Sequence, residues 1–497
     1  MTPGLPLFQT PLAEGAEARR CCVWNLLARL GAWFQIVGRE KCFRVVPELD
    51  VTVAGRGDVA EVARRALEVM PGGASHDGRQ LEPGGPFVRR AAGPFKTGVD
   101  GRELVDLQCG NGSLLLGHAH PGVVEAGLRA IEAGLNFSAG SEAEVAWAEA
   151  VCALMPGAEQ IRFTASGNEA CALSFAIARA VTGRAPVLVL RDHYCGWMGP
   201  ALLRRVAADR FLDLALADDE VVLVEAQDVA QALAVLASRR VSSIIFEPTG
   251  GSFGKLPLSA ADALALGETA GRHGSLCIAD ETITGFRVAP GGAQKLLGLK
   301  PDLTILGKIL GGGLPAGALA GSRGLMKALD NRPGGTGGPE RVAHMGTGNG
   351  NPVVAAVGLA TLAAIADGEL IRRANAAATA LRAGLNAAFA RQGVGWAAYG
   401  EHSALHIFIN PLGRSFEPRA FDPSTCAAEE LRARPLRLVN DLRVELLRQG
   451  LDLNNWPGGL LSAAHDASAV ERAIEAFARA LDRLAGAGQA LIGWGRA

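Results

Sequence analysis

The chain of 497 residues is poor in several residue types: it has two tyrosines, six methionines and, among 49 basic residues, only seven lysines. The net charge is −1, and the sequence contains no run of basic residues. A protein that binds nucleic acid or an acidic membrane surface is expected to carry such a basic patch, so neither partner is expected here. No apolar run reaches the length of a membrane span. The nine cysteines form no pair of C-x-x-C repeats, and no His-rich cluster accompanies them. We therefore expect no metal site, no nucleic-acid partner and no membrane segment.

The residues that are present indicate a globular protein. A hydrophobic fraction of 49% with balanced charge predicts a well-packed soluble chain of two or three domains. Scattered cysteines, and an N-terminus without the pattern of a signal peptide, favour a reduced cytoplasmic setting. Residues 1–66 differ in pattern from the rest of the chain, and we interpret them as an N-terminal extension of unknown role.

The fold class follows from the order of apolar segments. Residues 87–107 alternate polar and apolar positions around turn residues, which predicts short antiparallel strands. After Pro121, helical stretches separate short apolar strands, which predicts α/β architecture with a mainly parallel sheet. From residue 368 helices and strands mix again, which indicates a second, α+β domain. The predicted strands of the parallel sheet are 161–164, 187–190, 241–246, 276–278 and 303–306. A ligand should bind in the loops that follow these strands.

Lys308 is the strongest candidate for chemistry. It follows the apolar segment 303–306 and precedes three glycines, which permit close approach of backbone or ligand. A desolvated lysine has a lowered pKa and attacks carbonyl groups at neutral pH. The alternative is a strand-end lysine that faces solvent. A P-loop is excluded, because no Ser or Thr follows the lysine.

Three further motifs follow predicted strands. The run 166–170, SGNEA, opens a helix whose N-terminal N–H groups suit a phosphate, although an ordinary N-cap fits the same residues. Tyr194 is placed to stack on a flat ring, or else packs on its own loop. Asp280 is placed to pair with a ring nitrogen and keep it protonated, or else caps a turn.

Together with further runs, these motifs resemble the class III aminotransferases of fold type I, which depend on pyridoxal phosphate, and among them the glutamate-1-semialdehyde aminomutase branch. The resemblance extends over about residues 67–485. It implies a small domain built from residues 67–130 and 368–497 around a large cofactor-binding domain, 131–367, with a seven-stranded type of sheet. The supporting runs are 71–73 (PGG), 117–121 (GHAHP), 246–248 (FEP), 301–304 (PDLT), 346–352 (GTGNGNP) and 459–465 (GLLSAAH).

The resemblance also implies roles for individual residues. Lys308 would form a Schiff base with the cofactor and shuttle protons, while Asp280 would hold the pyridine nitrogen. Arg79, at its spacing after the PGG run, would grip a substrate carboxylate through its guanidinium fork. The implied cofactor-binding set is Ser166, Gly167, Asn168, Tyr194, Glu247, Asp280, Thr282, Lys308 and Thr347. Thr347 would arrive from a partner subunit, which implies a homodimer with a shared active site.

The sequence departs from the family pattern in ways that concern the substrate. Asn168 stands where threonine is usual, Cys195 replaces a histidine, and Thr282 replaces a valine beneath the ring. The segment 197–221 is arginine-rich and expected to be helical, whereas the aminomutases have a glycine-rich gating loop there. These differences favour an amino transfer in a specialised pathway over a role in tetrapyrrole synthesis.

The predicted function is therefore a transaminase that uses a pyridoxamine form and acts on a small carboxylate-bearing amino donor and an oxo acceptor. Lys308 would be the base, Asp280 the electronic anchor and Tyr194 the ring cover. A 2,1-aminomutase or a racemase would use the same residues without a second substrate. A cofactor-binding protein without catalysis is the third hypothesis.

Overall fold

The computed structural model describes residues 58–79, 81, 84–196, 204–207, 210–213, 220–332 and 341–486. The predicted extension 1–66 lies outside the described residues except at its end, where helix α1 (Val59–Val69) begins after the N-cap Asp58. The predicted division at residues 130 and 367 stays a prediction.

A seven-stranded sheet forms the centre of the described chain. Its strands, in spatial order, are β4 (Gln160–Thr164), β13 (Gly317–Gly321), β12 (Leu303–Gly307), β11 (Leu276–Asp280), β9 (Ser243–Phe246), β5 (Val187–Leu190) and β8 (Val221–Val224). Neighbours from β12 to β8 are parallel, and only β13 runs antiparallel to both strands that flank it. The prediction of an α/β fold with a mainly parallel sheet is confirmed. Strands β5, β9, β12 and β13 are buried at every position, as in sheets covered on both faces.

A second sheet joins both ends of the described chain. Strands β1 (Val88–Ala92), β2 (Phe95–Gly98) and β3 (Glu103–Asp106) are antiparallel, as predicted. Strand β16 (Leu451–Asp452) pairs in parallel with β3. A three-stranded sheet of β14 (Ala397–Tyr399), β15 (Ala404–Phe408) and β17 (Gly458–Leu460) lies beside it. The short strand β10 (Leu256–Pro257) forms isolated bridges with Gly250 and Gly251.

Helices cover these sheets and bury their apolar sides in several clusters. The longer helices are α2 (Pro121–Ala133), α3 (Glu142–Leu154), α4 (Gly167–Thr182), α5 (Val229–Ala237), α6 (Ala260–Arg272), α7 (Gly292–Leu297), α8 (Pro352–Ile365), α9 (Glu369–Gln392), α10 (Leu436–Arg448) and α11 (Ala467–Gly486). Single helical turns occur at Arg323–Met326 and Ala428–Arg432. Among the residues that the structure describes, no single helix is long and apolar enough to cross a bilayer. In this part of the chain one pair of helices, α8 and α9, is long and apolar enough when the two are taken together, by length and composition alone, and the pair is bent by 75° at its junction.

The expectation of a helix between residues 197 and 221 is wrong wherever the backbone is described. Strands β6 (Arg204–Ala207) and β7 (Arg210–Asp213) form an antiparallel hairpin there. Neither segment offers the sustained apolar period over three or more turns that stabilises a helix. Strands β8 and β13 of the central sheet are not among the predicted strands, and the small residues of β13 carry no strand signal.

Candidate active site

Four of the predicted residues lie at the same edge of the central sheet. Lys308 follows β12, Asp280 ends β11, Glu247 follows β9 and Tyr194 follows β5, and these strands are consecutive neighbours. The carboxyl ends of parallel strands meet at one edge of a sheet, so the topology gathers the four side chains. The sequence interpretation of a ligand site after these strands agrees with this placement.

Lys308 is held by its backbone at the end of β12. Its φ of 49° lies in the left-handed region, which non-glycine residues seldom adopt and which is enriched at functional sites. Burial, the largest cause, lowers the pKa of the Lys308 amine, and the positive charge of Arg287 acts in the same direction. The charges of Asp280 and Glu247 oppose this shift. The amine is therefore closer to its neutral, nucleophilic form than an exposed lysine is.

Asp280 is a buried carboxylate, only 3% exposed, that accepts a hydrogen bond from the Thr282 backbone N–H at 2.9 Å. Burial raises its pKa, while Thr282 and the charge of Lys308 lower it. No basic side chain in the described part of the chain forms an ion pair with it. A buried carboxylate of this kind fits a cationic partner supplied by a ligand.

Glu247 organises the loops around this edge of the sheet. Its carboxylate accepts backbone N–H bonds from Tyr194 at 2.9 Å, Ser252 at 2.8 Å and Phe253 at 2.9 Å. Burial, with the nearby Asp280 charge, raises the pKa of Glu247 to about 7 despite these donors. His193 accepts a bond from the Glu247 backbone N–H at 3.0 Å, and burial lowers the pKa of His193 to about 3. The sequence interpretation assigned no role to His193, which lacks any local signal.

Helix α4 begins at this edge and is capped by its own residues. Ser166 Oγ accepts from the Glu169 N–H at 3.3 Å, and the Glu169 carboxylate accepts from the Ala165 N–H at 3.0 Å. The Ser166 side chain thus serves as an N-cap, which was one of its two interpretations. The N-terminal turn of this 16-residue helix keeps the dipole and backbone donors that suit a phosphate. Tyr194 connects to the same turn, since its hydroxyl donates to Asn168 Oδ1 at 2.7 Å.

Thr282 lies between this turn and the end of β12. A Cβ on Gly167 would lie 3.1 Å from Thr282 Cγ2, and a Cβ on Gly307 would lie at the same distance from that atom. Thr282 is 9% exposed. Thr282 therefore packs against Gly307, the residue before Lys308, and its role beneath the ring stays a prediction.

Two predicted residues lie apart from this group. Arg79 is exposed and lines a cavity of about 690 Å³ with Lys96, Gln108 and Arg443, and Lys308 does not contribute to its wall. Thr347 is exposed, and its carbonyl accepts from Asn136 Nδ2 at 3.2 Å. Their roles stay predictions.

Arg287, like His193, has no role in the sequence-based prediction. It lies after β11, is fully buried, and its charge acts on Lys308. Its hydrogen-bond partners are far away in the chain, so no local pattern indicates its role.

The sheet topology and the residues gathered at its edge define a fold type I transferase that uses pyridoxal phosphate. Asp280 suits the ring nitrogen of that cofactor, the start of α4 suits its phosphate, and Lys308 suits its aldehyde. The chain belongs to the class III aminotransferases, whose family model matches residues 80–395. The predicted family and cofactor are confirmed.

Known proteins agree with this assignment. The glutamate-1-semialdehyde 2,1-aminomutase of Laribacter hongkongensis is 33% identical over 440 residues, which cover 85% of this chain and 99% of that relative. An omega-transaminase from Sphaerobacter thermophilus superposes with a TM-score of 0.73 at 29% identity, over 85% of this chain and 97% of the other. A transaminase structure with PLP bound superposes with a TM-score of 0.75 at 28% identity, over 87% and 98% of the two chains. The chain is therefore a pyridoxal-phosphate enzyme of the transaminase and aminomutase type.

Proposed function

We propose that this enzyme is an aminotransferase that moves an amino group between small carboxylate-bearing amino and oxo compounds, with Lys308 as its reactive amine. The observation that carries the proposal is the placement of Lys308 beside Asp280 at the carboxyl edge of the sheet, with the pKa of Lys308 lowered by burial. An amine in this state both attacks an aldehyde and accepts a proton at neutral pH.

Lys308, Asp280 and the start of α4 would each have a different role toward the cofactor. Pyridoxal phosphate, when bound, supplies the electron sink that makes the C–H bond beside an amino group acidic. Lys308 Nζ would hold the cofactor between turnovers and move the proton at the reacting carbon. Asp280 would keep the ring nitrogen protonated, because its buried carboxylate strongly favours a cationic partner. The N-terminus of α4, at Gly167 and Asn168, would bind the phosphate, with Ser166 fixing the turn.

Two residues would cover the faces of the ring. Tyr194 is 44% exposed, and its hydroxyl donates a hydrogen bond to Asn168 Oδ1. Thr282 would lie on the other face. Glu247 would support Tyr194 by accepting its backbone N–H at 2.9 Å.

Arg79 is the proposed group for the substrate carboxylate. Its guanidinium is exposed at the wall of the cavity described above and has the fork geometry that carboxylates prefer. The proposal requires this cavity to communicate with the cofactor site when a substrate binds.

A homodimer would complete the site, with Thr347 donated by the partner subunit. The support is an apolar surface on α2 and the loop after it, which consists of Val124, Leu128, Ile131, Leu135 and Phe137, all between 44% and 65% exposed. Met345, two residues before Thr347, is 94% exposed. Exposed apolar clusters of this kind mark protein interfaces. Sedimentation of the purified protein tests the dimer, and Leu128→Glu should shift it towards the monomer.

A 2,1-aminomutase is the second candidate function, favoured by the 33% identity to the Laribacter hongkongensis aminomutase over nearly its full length. Such an enzyme turns over with one substrate. The hairpin of β6 and β7, in the segment where that branch is expected to carry a glycine-rich loop, favours the transaminase. We also propose a cytoplasmic location.

The test is the visible absorption spectrum of the purified protein, recorded before and after a panel of amino donors is added without an oxo acceptor. A transaminase should convert its cofactor once and then stop until an acceptor is supplied. Continued isomerisation of one substrate with an unchanged band would favour the aminomutase instead. Absence of any cofactor band, even after pyridoxal phosphate is added, would overturn both. Lys308→Ala is the matched control, because it should bind the cofactor without the lysine linkage.

A further inference from the structure

Arg287 is a fully buried cation for which the described residues supply no ion-pair partner. Its guanidinium donates to Ser403 Oγ at 3.0 Å, to the Leu461 carbonyl at 3.1 Å and to the Gly112 carbonyl at 2.6 Å. Within the described residues no carboxylate forms an ion pair with it, and its Nε has no hydrogen-bond partner. Burial of an unpaired charge is costly, so stability alone does not account for an arginine at this position.

The acceptors belong to three separate segments of the chain. Ser403 precedes β15, Leu461 follows β17, and Gly112 ends a turn in the N-terminal part, while Arg287 itself follows β11 of the central sheet. The Leu461 backbone N–H also donates to the Ser403 carbonyl at 3.0 Å. One side chain therefore ties the central sheet to segments from both ends of the described chain.

The turn that Arg287 holds is in contact with Lys308. Cys109, Gly110 and Asn111 have φ values of 46°, 59° and 53°, so three successive residues are left-handed before Gly112. A Cβ on Gly112 would lie 3.4 Å from Lys308 Cδ. The turn therefore lies within van der Waals range of the lysine stem, and the φ of 94° at Gly112 favours glycine there.

We propose that Arg287 is a positioning residue for Lys308: it fixes the turn 109–112 against the lysine stem and keeps an unbalanced positive charge beside the lysine nitrogen. The proposal rests on the role proposed above for Lys308.

The charges around Lys308 determine whether loss of Arg287 should raise or lower the pKa of the lysine nitrogen. Asp280 and Glu247 face the amine and favour its protonated form, whereas Arg287 favours the neutral form. Burial lowers the pKa of Arg287 to about 10, so its guanidinium is still charged at neutral pH. Cys109, the other titratable group beside Arg287, is buried with its pKa raised and carries no charge at neutral pH. Loss of the Arg287 charge should therefore raise the pKa of the Lys308 nitrogen.

The test is a pH titration of the visible band that reports the proton on the lysine–cofactor linkage, in the full-length holoenzyme. Arg287→Gln removes the charge and should raise the pKa of that nitrogen by about one unit, a tenfold change in proton affinity. Arg287→Lys keeps the charge and is the matched control, which should stay within about twofold of the wild type in proton affinity. A purely structural role for Arg287 would weaken cofactor retention in both variants and leave the titration midpoint unmoved, and that result overturns the proposal.

Ser403→Asp provides a second route if Arg287→Gln does not fold. It leaves the arginine in place and adds a carboxylate that pairs with it, so it should raise the same pKa, and an unchanged midpoint would overturn the proposal. Borohydride reduction followed by peptide mass analysis distinguishes a failure of the Lys308 assignment from a failure of the role proposed for Arg287. Label on another lysine, such as Lys255, whose pKa is lowered to about 8 mainly by burial, would refute the Lys308 assignment itself. Label on Lys308 with identical titrations in all variants would refute only the role of Arg287.

Discussion

The pKa values of two partly buried lysines of this enzyme, Lys96 and Lys308, are shifted in opposite directions. Lys96 Nζ lies 2.8 Å from Asp106 Oδ1 and 2.8 Å from Asp452 Oδ2, and these two carboxylates raise its pKa although burial opposes the shift. Lys308 has no such ion pair among the described residues, and burial lowers its pKa. Direct contact with a carboxylate makes a lysine a permanent structural cation, whereas a carboxylate kept at a distance leaves the amine available for chemistry.

The largest expected effect separates the two lysines by activity. Lys308→Ala should lower kcat by about ten-thousandfold, because it removes both the nucleophile and the proton carrier. Its thermal unfolding should change little, since the lysine forms no ion pair with any residue that the structure describes. Steady-state rates and calorimetry measure the two quantities, and Lys300→Ala, at an exposed lysine, is the matched control. Retention of substantial activity in Lys308→Ala would remove Lys308 from the mechanism.

The second prediction reverses the result at Lys96. Lys96→Met should lower the free energy of unfolding by about 3 kcal/mol, because it removes the ammonium that both buried carboxylates share and leaves Asp106 with His118 as its remaining ion-pair partner among the described residues. Activity per folded molecule should stay within about tenfold of the wild type. Chemical denaturation gives the stability, and the double variant with Asp452→Asn should recover part of the loss. A Lys96→Met protein as stable as the wild type would contradict the structural role of the pair.

The third prediction changes the charge that faces Lys308. Asp280→Asn should reduce kcat by about a hundred- to a thousandfold, because a neutral amide cannot keep the ring nitrogen protonated. The same change removes a charge that raises the pKa of Lys308, so the amine should become more fully neutral while activity falls. Single-turnover rates and the absorbance titration measure the two effects separately. Glu268→Gln, an exposed charge removal, is the control, and equal activity in the two variants would refute the role of Asp280.

The sequence predicts one of the two lysines and not the other, for a physical reason. Lys308 and Asp280 each follow a short apolar run, so the carboxyl edge of the parallel sheet gathers them. Lys96 depends on Asp452, which is 356 residues away, and no local pattern indicates that contact. Arg287 is similar, since its bonds reach Gly112, Ser403 and Leu461 across the chain.

Arg79 shows the limit of motif spacing. Its distance from the PGG run predicts a carboxylate clamp, and the structure shows only that it lines a cavity to whose wall Lys308 does not contribute, so the clamp stays a prediction. Spacing fixes a residue within a loop, whereas the direction in which that loop presents it depends on packing against other segments. Local apolar runs predict five of the seven central strands; β13 is not predicted because its small residues lack that signal, and β8 is not predicted although Val221–Val224 is apolar.

The smallest expected effect is on the pH dependence of the free energy of unfolding between neutral and alkaline pH, where Lys96 and Lys308 should contribute with opposite signs. The raised pKa of Lys96 contributes stability below the ordinary lysine pKa, and that stability is lost as the pH rises through the folded-state value. The lowered pKa of Lys308 has the opposite sign: the unfolded chain binds more protons, so stability rises with pH until the ordinary lysine pKa is reached. Unfolding free energies of the cofactor-free wild type, Lys96→Met and Lys308→Met, measured from pH 7 upwards, isolate each lysine by subtraction. The wild-type advantage over Lys308→Met should grow with pH, and that over Lys96→Met should stay level and then shrink. Slopes of the same sign would mean that the two lysines share one electrostatic environment, and the division between a structural cation and a reactive amine would fail.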